Sequence, residues 1–276
     1  MRGAFRLRSW IGRLVRGKGY STEGTLAGGE RLRLDLDDWI QFRVFLTGRY
    51  DIETIHEAAM LGKVRRGMTI FDVGSHVGYY ALQFATRVGP EGAVHAFEPV
   101  ASTNALLAAN VERNGLTNVT VNRMLVSEKA GHGVVYSAPG DNVGRASRSH
   151  LEGFEQSEEV PMTTFDDYAR ERSIPKVDLV KIDVEGGEFA VLKGMTRLLA
   201  TSAPLIFVEI NRPLLEVAGT TANELRRFLA GFGYACFLIR PDGLVETTDL
   251  DSDESLVHFM KPAGSGARAA TSAARG

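Results

Sequence analysis

The sequence predicts a doubly wound α/β fold, a mostly parallel sheet of about seven strands with helices on both faces and an antiparallel hairpin at its C-terminal end. Three observations support it. Short apolar strands alternate with helical patterns through the middle of the chain. Polar, glycine-containing segments sit just past the strand ends, where open parallel sheets place their ligands. A length of 276 residues suits one large α/β domain better than two.

Thr69–Val73 reads as the first strand, after a helical lead-in ending near Gly62. The helix behind it carries Ala81, Phe84, Ala85 and Val88 at i, i+3, i+4 and i+7, and Gly89-Pro90-Glu91-Gly92 stops it. Ala93–Phe97 is the second strand, followed by a helix through Leu107 and Val111 that ends at Asn114-Gly115. The third strand runs from about Val119 to Leu125, the fourth from Val177 to Val184 and the fifth from Leu205 to Ile210. Thr221 and Glu224 have the spacing of a capping box and open a later helix. The closing hairpin is expected as Ala235–Ile239, the turn Pro241-Asp242-Gly243, and, after a longer acidic loop, Ser255–Met260. No internal repeat is visible.

The expected organisation is a basic amphipathic segment over residues 1–20, an N-terminal extension with lid elements over 21–66, the sheet domain over 67–261 and a disordered tail over 262–276. The first segment packs on the domain, frays, or touches an anionic membrane weakly from the side; these readings stay open. Lys and Arg total 32 against 34 Asp and Glu, so no global field gathers nucleic acid, and none is expected as a partner. The single cysteine, Cys236, suits a reducing compartment, and no membrane span or secretion signal is legible, so the expected location is cytoplasmic.

Asp72-Val-Gly74-Ser75-His76-Val-Gly78 follows the first strand and precedes a helix N-terminus, whose free N–H groups and partial positive charge favour a carboxylate or phosphate. A glycine-rich turn without a ligand is the plainer reading. Glu98, in Phe97-Glu98-Pro99 past the second strand, offers a carboxylate that accepts hydrogen bonds from a ribose diol, unless it only caps the next helix. The G-x-G-x-x-G dinucleotide fingerprint is absent, since Ser75, His76 and Val77 separate Gly74 from Gly78. Asp72 beside the loop opposes phosphates yet suits the ammonium and sulfonium charges of S-adenosylmethionine. The strand order and these residues fit the Rossmann-like sheet of adenosylmethionine-dependent methyltransferases. An NAD-dependent sugar-nucleotide dehydrogenase and a cofactor-binding scaffold without turnover remain as alternatives.

Phe71 to Tyr80, Phe97-Glu98-Pro99 and Val180-Lys-Ile-Asp183-Val-Glu185-Gly-Gly-Glu188 together resemble the FkbM-type methyltransferases. The resemblance runs from about Tyr50 to Met260 and includes Gly48-Arg-Tyr50-Asp51 and Asn142–Ser147. It implies O-methylation of a hydroxyl on a sugar, glycolipid or secondary metabolite, with S-adenosyl-L-methionine as cofactor held by Tyr50, Asp51, Asp72, Gly74, Ser75, His76, Gly78, Glu98, Pro99 and Asp183. Ser75-His76 departs from the Ala-Asn of many relatives, which puts the detailed contacts at this step in doubt.

Methyl transfer is an in-line displacement at carbon in which a general base helps the hydroxyl lose its proton. Asp183 ranks first for that role, then Glu185, His76 and Glu209. Asp183 and Glu185 could equally organise the loop or bind the cofactor amine without moving a proton. No metal-ligand set is legible, and none is expected. The Asp/Asn-Pro-Pro-Tyr/Phe element of amino-group methyltransferases of nucleic acids is absent. The polar segment over 133–159 is expected to act as a lid that selects a small-molecule or glycan hydroxyl acceptor. Acceptor identity and oligomeric state are not legible.

Overall fold

A computed structural model describes residues 18–49, 54–137, 146–147, 156–252 and 257–262. In chain order the elements are β1 (Ser21–Thr25), β2 (Arg31–Asp35), α1 (Trp39–Thr47), α2 (Thr54–Leu61), β3 (Thr69–Val73), α3 (Tyr79–Val88), β4 (Ala93–Phe97), α4 (Ala101–Arg113), β5 (Val119–Asn122), β6 (Leu125–Val126) and β7 (Gly131–Ser137). They continue with β8 (Ala146–Ser147), β9 (Gln156–Thr163), α5 (Phe165–Glu171), β10 (Leu179–Ile182), α6 (Glu188–Lys193), α7 (Thr196–Thr201), β11 (Leu205–Glu209), α8 (Arg212–Val217), α9 (Ala222–Ala230), β12 (Tyr234–Arg240), β13 (Gly243–Thr247) and β14 (Val257–Pro262).

The central sheet has the order β13-β12-β14-β11-β10-β3-β4-β5, with the five strands from β11 to β5 parallel. The doubly wound α/β class is therefore right, with one strand more than expected. Strand alternation divides the core between the two faces. Phe71, Val73, Val180, Ile182 and Ile206 bury on one face with Phe165, Leu192, Leu225 and Leu229. Ile70, Leu179 and Phe207 bury on the other with Leu82, Phe84, Ala85 and Leu107. At the carboxyl ends of β3 and β10 this second face changes from apolar to charged, because Asp72 follows Ile70 and Lys181 follows Leu179 at the period of two.

Two expected strands are placed differently. The third stops at Asn122, and Leu125–Val126 turns away to pair with Met162 and Thr163 of β9 in a separate sheet of order β6-β9-β7-β8. After the turn at Pro241 the chain at once forms β13 at the sheet edge, and β14 inserts between β12 and β11. The separate sheet also takes up both flanks of the segment read as a polar lid, since β7 and β9 pair from Gly131–Met162 to Ser137–Gln156. It encloses Val100, Leu125, Val135, Val160 and Met162 in a small core of its own. Glu158 fastens it to the start of α4 by accepting from the Ala101 amide at 3.1 Å and pairing with Arg123 at 2.6 Å.

The β1–β2 hairpin docks on α4 through asparagines. Asn114 Oδ1 accepts from the Arg31 amide at 2.8 Å, and Asn110 Oδ1 from the Arg33 amide at 2.7 Å. The Asn110 Nδ2 donates onward to the Val77 carbonyl at 2.9 Å, so one buried side chain joins the hairpin to the loop after β3. No helix among the described residues is long and apolar enough to cross a membrane. The basic segment over residues 1–17, the tip of the central segment and the tail beyond Pro262 lie outside the described residues.

The capping box forms as read: Thr221 Oγ1 accepts from the Glu224 amide at 3.2 Å and Glu224 Oε2 from the Thr221 amide at 3.0 Å. Thr221→Ala should lower stability by about 1 kcal/mol in urea unfolding without changing the denaturant slope. An unchanged midpoint would show that core packing alone fixes α9.

Candidate active site

The loop after β3 is held from both sides of the sheet. Gly74 and Ser75 amides donate to the Phe97 carbonyl at 3.0 and 3.1 Å, and Ser75 Oγ donates to the Asp72 carbonyl at 2.7 Å while accepting from the Phe97 amide at 3.1 Å. His76 takes a left-handed φ of 50°, and its amide donates to Glu98 Oε2 at 3.0 Å. On the opposite side the Asp183 amide donates to the Val73 carbonyl at 3.1 Å. The two loops then pass so closely that a Cβ on Gly74, itself at φ 74°, would lie 1.8 Å from the Asp183 carbonyl oxygen. Gly78, at φ 96°, caps α3 without a side chain, and a Cβ there would meet Leu107 at 2.7 Å. Both glycines thus serve contacts of the protein with itself before any ligand is considered.

Between these loops stands Lys181, which sequence reading passed over. Its ammonium lies 3.4 Å from Asp72 Oδ1 and 3.5 Å from Asp183 Oδ2, donates to the Gly74 carbonyl at 3.2 Å, and sits 5.4 Å from the Tyr80 ring centre. Burial works against that charge, but Asp72, Asp183 and Glu209 outweigh it and raise the lysine pKa. The one signal available in the sequence was a lysine inside the otherwise apolar, fully buried run Leu179–Ile182.

Asp72 is wholly buried, with its carboxylate at ion-pair distance from the Lys181 ammonium. Burial raises its pKa, against the opposing charge of Lys181. The His76 ring is also buried, with neither nitrogen hydrogen-bonded; burial lowers its pKa, while Asp38 and Asp183 oppose that shift. Asp38 is a second residue missed from sequence: it caps α1 by accepting from the Gln41 amide at 2.8 Å and brings its charge to the loop.

Glu98 has more to hold than a ribose. Its Oε2 takes the His76 amide and its Oε1 the Val100 amide at 3.0 Å, which realises the helix-start reading, yet each oxygen keeps a further lone pair. Burial pushes its carboxyl up to about 7 against those two amides. Pro99 follows it, half-buried. Glu185, at φ 48°, accepts from Asn211 Nδ2 at 3.4 Å and so leans toward the end of β11. Glu209 ends β11 and adds its charge to the Lys181 cluster. Tyr50 and Asp51 lie outside the described residues. Glu188, also missed, shapes the loop after β10: its Oε1 accepts from the Gly186 amide at 3.1 Å and the Val184 amide at 3.4 Å. The structure therefore brings together Asp72, Gly74, Ser75, His76, Glu98 and Asp183, and sets Glu185 to one side.

The buried Asp72 carboxylate and the orphaned nitrogens of His76 belong to the segment that leads into α3, whose cap residue supplies no side chain. This donor set fits the methionine end of S-adenosylmethionine: cations beside Asp72 and Asp183, a carboxylate at the α3 amides. No cluster of three or more His, Cys, Asp or Glu able to hold a metal ion occurs among the described residues. A cleft of about 740 Å³ between α6 and α9, lined by Gly186, Gly187, Phe189, Lys193, Thr220 and Arg227 among others, touches the β10 loop but none of Asp72, His76 or Glu98.

Comparison with known proteins matches residues 72–236 to the methyltransferase FkbM domain. The chain is 28% identical over 198 residues to the hexuronic acid methyltransferase AglP of Haloferax volcanii, covering 72% of each. It is 31% identical over 161 residues to the 31-O-demethyl-FK506 methyltransferase FkbM of Streptomyces tacrolimicus, covering 48% of this chain and 61% of that one. Among solved structures, methyltransferase FkbM of Methylobacillus flagellatus aligns at 18% identity and a TM-score of 0.47, and the match spans about half (52%) of that longer chain.

Burial also pushes the Glu188 carboxyl up to about 7 from an ordinary 4.5, against the amides it accepts. The folded state thus holds this proton more tightly than the unfolded chain, and the stability it contributes is lost as pH rises through about 7. Glu188→Gln should make urea stability fall less steeply between about pH 5 and about pH 8 than in the wild type. Parallel curves would show that Glu188 does not titrate in the fold.

Proposed function

The chain belongs to the FkbM methyltransferase family, and we propose that it transfers the methyl group of S-adenosylmethionine to a hydroxyl on a sugar, glycolipid or secondary metabolite. The observation that carries this is Asp183, whose side chain is 18% exposed at the mouth of the site while its backbone touches the loop after β3. A carboxylate so placed reaches an incoming hydroxyl and stays within the donor site. The names of two relatives favour such an acceptor: one acts on a hexuronic acid, the other on 31-O-demethyl-FK506. The family assignment also removes the dehydrogenase alternative that the Glu98 carboxylate left open.

When bound, S-adenosylmethionine supplies an electrophilic methyl group on a positive sulfur. Asp183 would accept the hydrogen bond of the acceptor hydroxyl and take its proton as the oxygen displaces sulfur from the methyl carbon, the carbon–sulfur pair leaving with S-adenosylhomocysteine, and would then release the proton to water. Glu98 uses its remaining lone pairs on the ribose hydroxyls, and Asp72 faces the cationic end. The segment between β7 and β9 is the part of the chain best placed in sequence to vary with the acceptor. Nucleic acid is not the acceptor on this reading, and the buried cysteine fits work in the cytoplasm. The N-terminal basic segment contributes weak membrane contact at most.

Glu98→Ala should weaken S-adenosylmethionine binding at least about tenfold in calorimetry, the lower end for a lost pair of charge-assisted bonds. Wild-type affinity in the folded variant would show that Glu98 only organises the loop. Acceptors are found by incubating the protein with methyl-labelled S-adenosylmethionine and glycan or metabolite extracts, then searching for added methyl groups by mass spectrometry. With such an acceptor, Asp183→Asn should reduce kcat by ~10²–10⁴ and change cofactor affinity much less. A larger loss in affinity than in kcat would limit Asp183 to holding the cofactor, with the proton taken elsewhere. Absence of methyl transfer to every extract, with cofactor bound, would favour a scaffold without turnover.

A further inference from the structure

We propose that Lys181 is the positioning residue of the donor site: its ammonium joins Asp72, Asp183 and the Gly74 carbonyl into one cradle for the cationic end of the methyl donor. This rests on the methyltransferase reading above.

An ammonium has three N–H donors, and three acceptors surround this one, at 3.4, 3.5 and 3.2 Å. The Tyr80 ring closes a further side. Buried among these groups, the ammonium acts through the carboxylates and the carbonyl that it holds. Those groups come from different segments: Asp72 from β3, Gly74 from the loop after it, and Asp183 from the loop after β10. A single cation therefore bridges a carboxylate on β3 and one on the loop after β10.

The charge count points to the ligand. Asp72 and Asp183 touch the lysine, and Glu209 from β11 adds a third negative charge, while His76 and Glu98 also face the cluster electrostatically. Two carboxylates lie within ion-pair distance of one ammonium, and burial raises the pKa of Asp72, so a ligand end carrying a sulfonium and an ammonium would hold Asp72 ionised and balance the second carboxylate. Inside a protein such a cluster is worth more than in water, and it is expensive to leave half-made. Lys181 is the one cation within ion-pair distance of Asp72 among the described residues.

The test separates this role from simple neutralisation of a buried aspartate. S-adenosylmethionine is titrated calorimetrically into the full chain, the Lys181→Met variant and the Asp72→Asn/Lys181→Met double variant, with thermal unfolding of each measured beside it. Lys181→Met should lower Tm and weaken affinity at least about tenfold. The double variant, which removes both charges, should recover most of the lost Tm while its affinity stays low. Wild-type affinity in Lys181→Met, or recovery of both Tm and affinity in the double variant, would overturn the proposal. Failure of the wild type itself to bind S-adenosylmethionine would instead sink the methyltransferase reading, and this inference with it.

Discussion

The parallel register of β3 and β10 sets Asp72 directly beside Lys181, and the rest of the site is arranged around that buried pair. These two strands flank the point where the winding of the sheet reverses, β4 and β5 lying to one side and β11 to the other. At such a point the connecting helices leave in opposite directions, and a crevice opens past the strand ends. Here its walls are the loops after β3 and β10, which approach until only a glycine at position 74 avoids the Asp183 carbonyl. Lys181 reaches both loops, donating to the Gly74 carbonyl and pairing with Asp183.

Other parts of the fold serve this junction from further away. Asn110 ties the β1–β2 hairpin to Val77, and Asp38 brings the start of α1 to His76. Glu98 clamps His76 and Val100, so the end of β4 fixes both the loop before it and the helix after it. At position 76, where the family resemblance implies Asn, this chain has His. The left-handed backbone tolerates either residue, since His and Asn are both enriched there. What changes is the polar surface presented: an imidazole with two unpartnered nitrogens lies where an amide would otherwise be.

Much of this was legible before the structure. Periodicity placed the helices and the five parallel strands because each has one clear buried stripe or is buried on both faces. The rule that ligands meet the ends of parallel strands picked out Asp72, Glu98 and Asp183. The misses share a physical cause, which is that they depend on partners distant in sequence. β13 is exposed along nearly its whole length and shows no alternation to read. Leu125–Val126 became a separate strand only because Met162 and Thr163 lie beside it. Lys181 was taken as an ordinary strand residue because the carboxylate beside it in the sheet, Asp72, lies 109 positions away. Glu98 was read for its free lone pairs, whereas the amides that use half of them come from a loop whose closure sequence does not display.

The account stands or falls on where the methyl donor lies. The direct measurement is a crystal structure of the full chain with S-adenosylhomocysteine. It should show the ribose hydroxyls hydrogen-bonded to Glu98, the amino acid end among Asp72, Asp183 and the α3 amides, and Lys181 still on Gly74. A ligand seated in the cleft between α6 and α9, with Glu98 and Asp72 untouched, would contradict it.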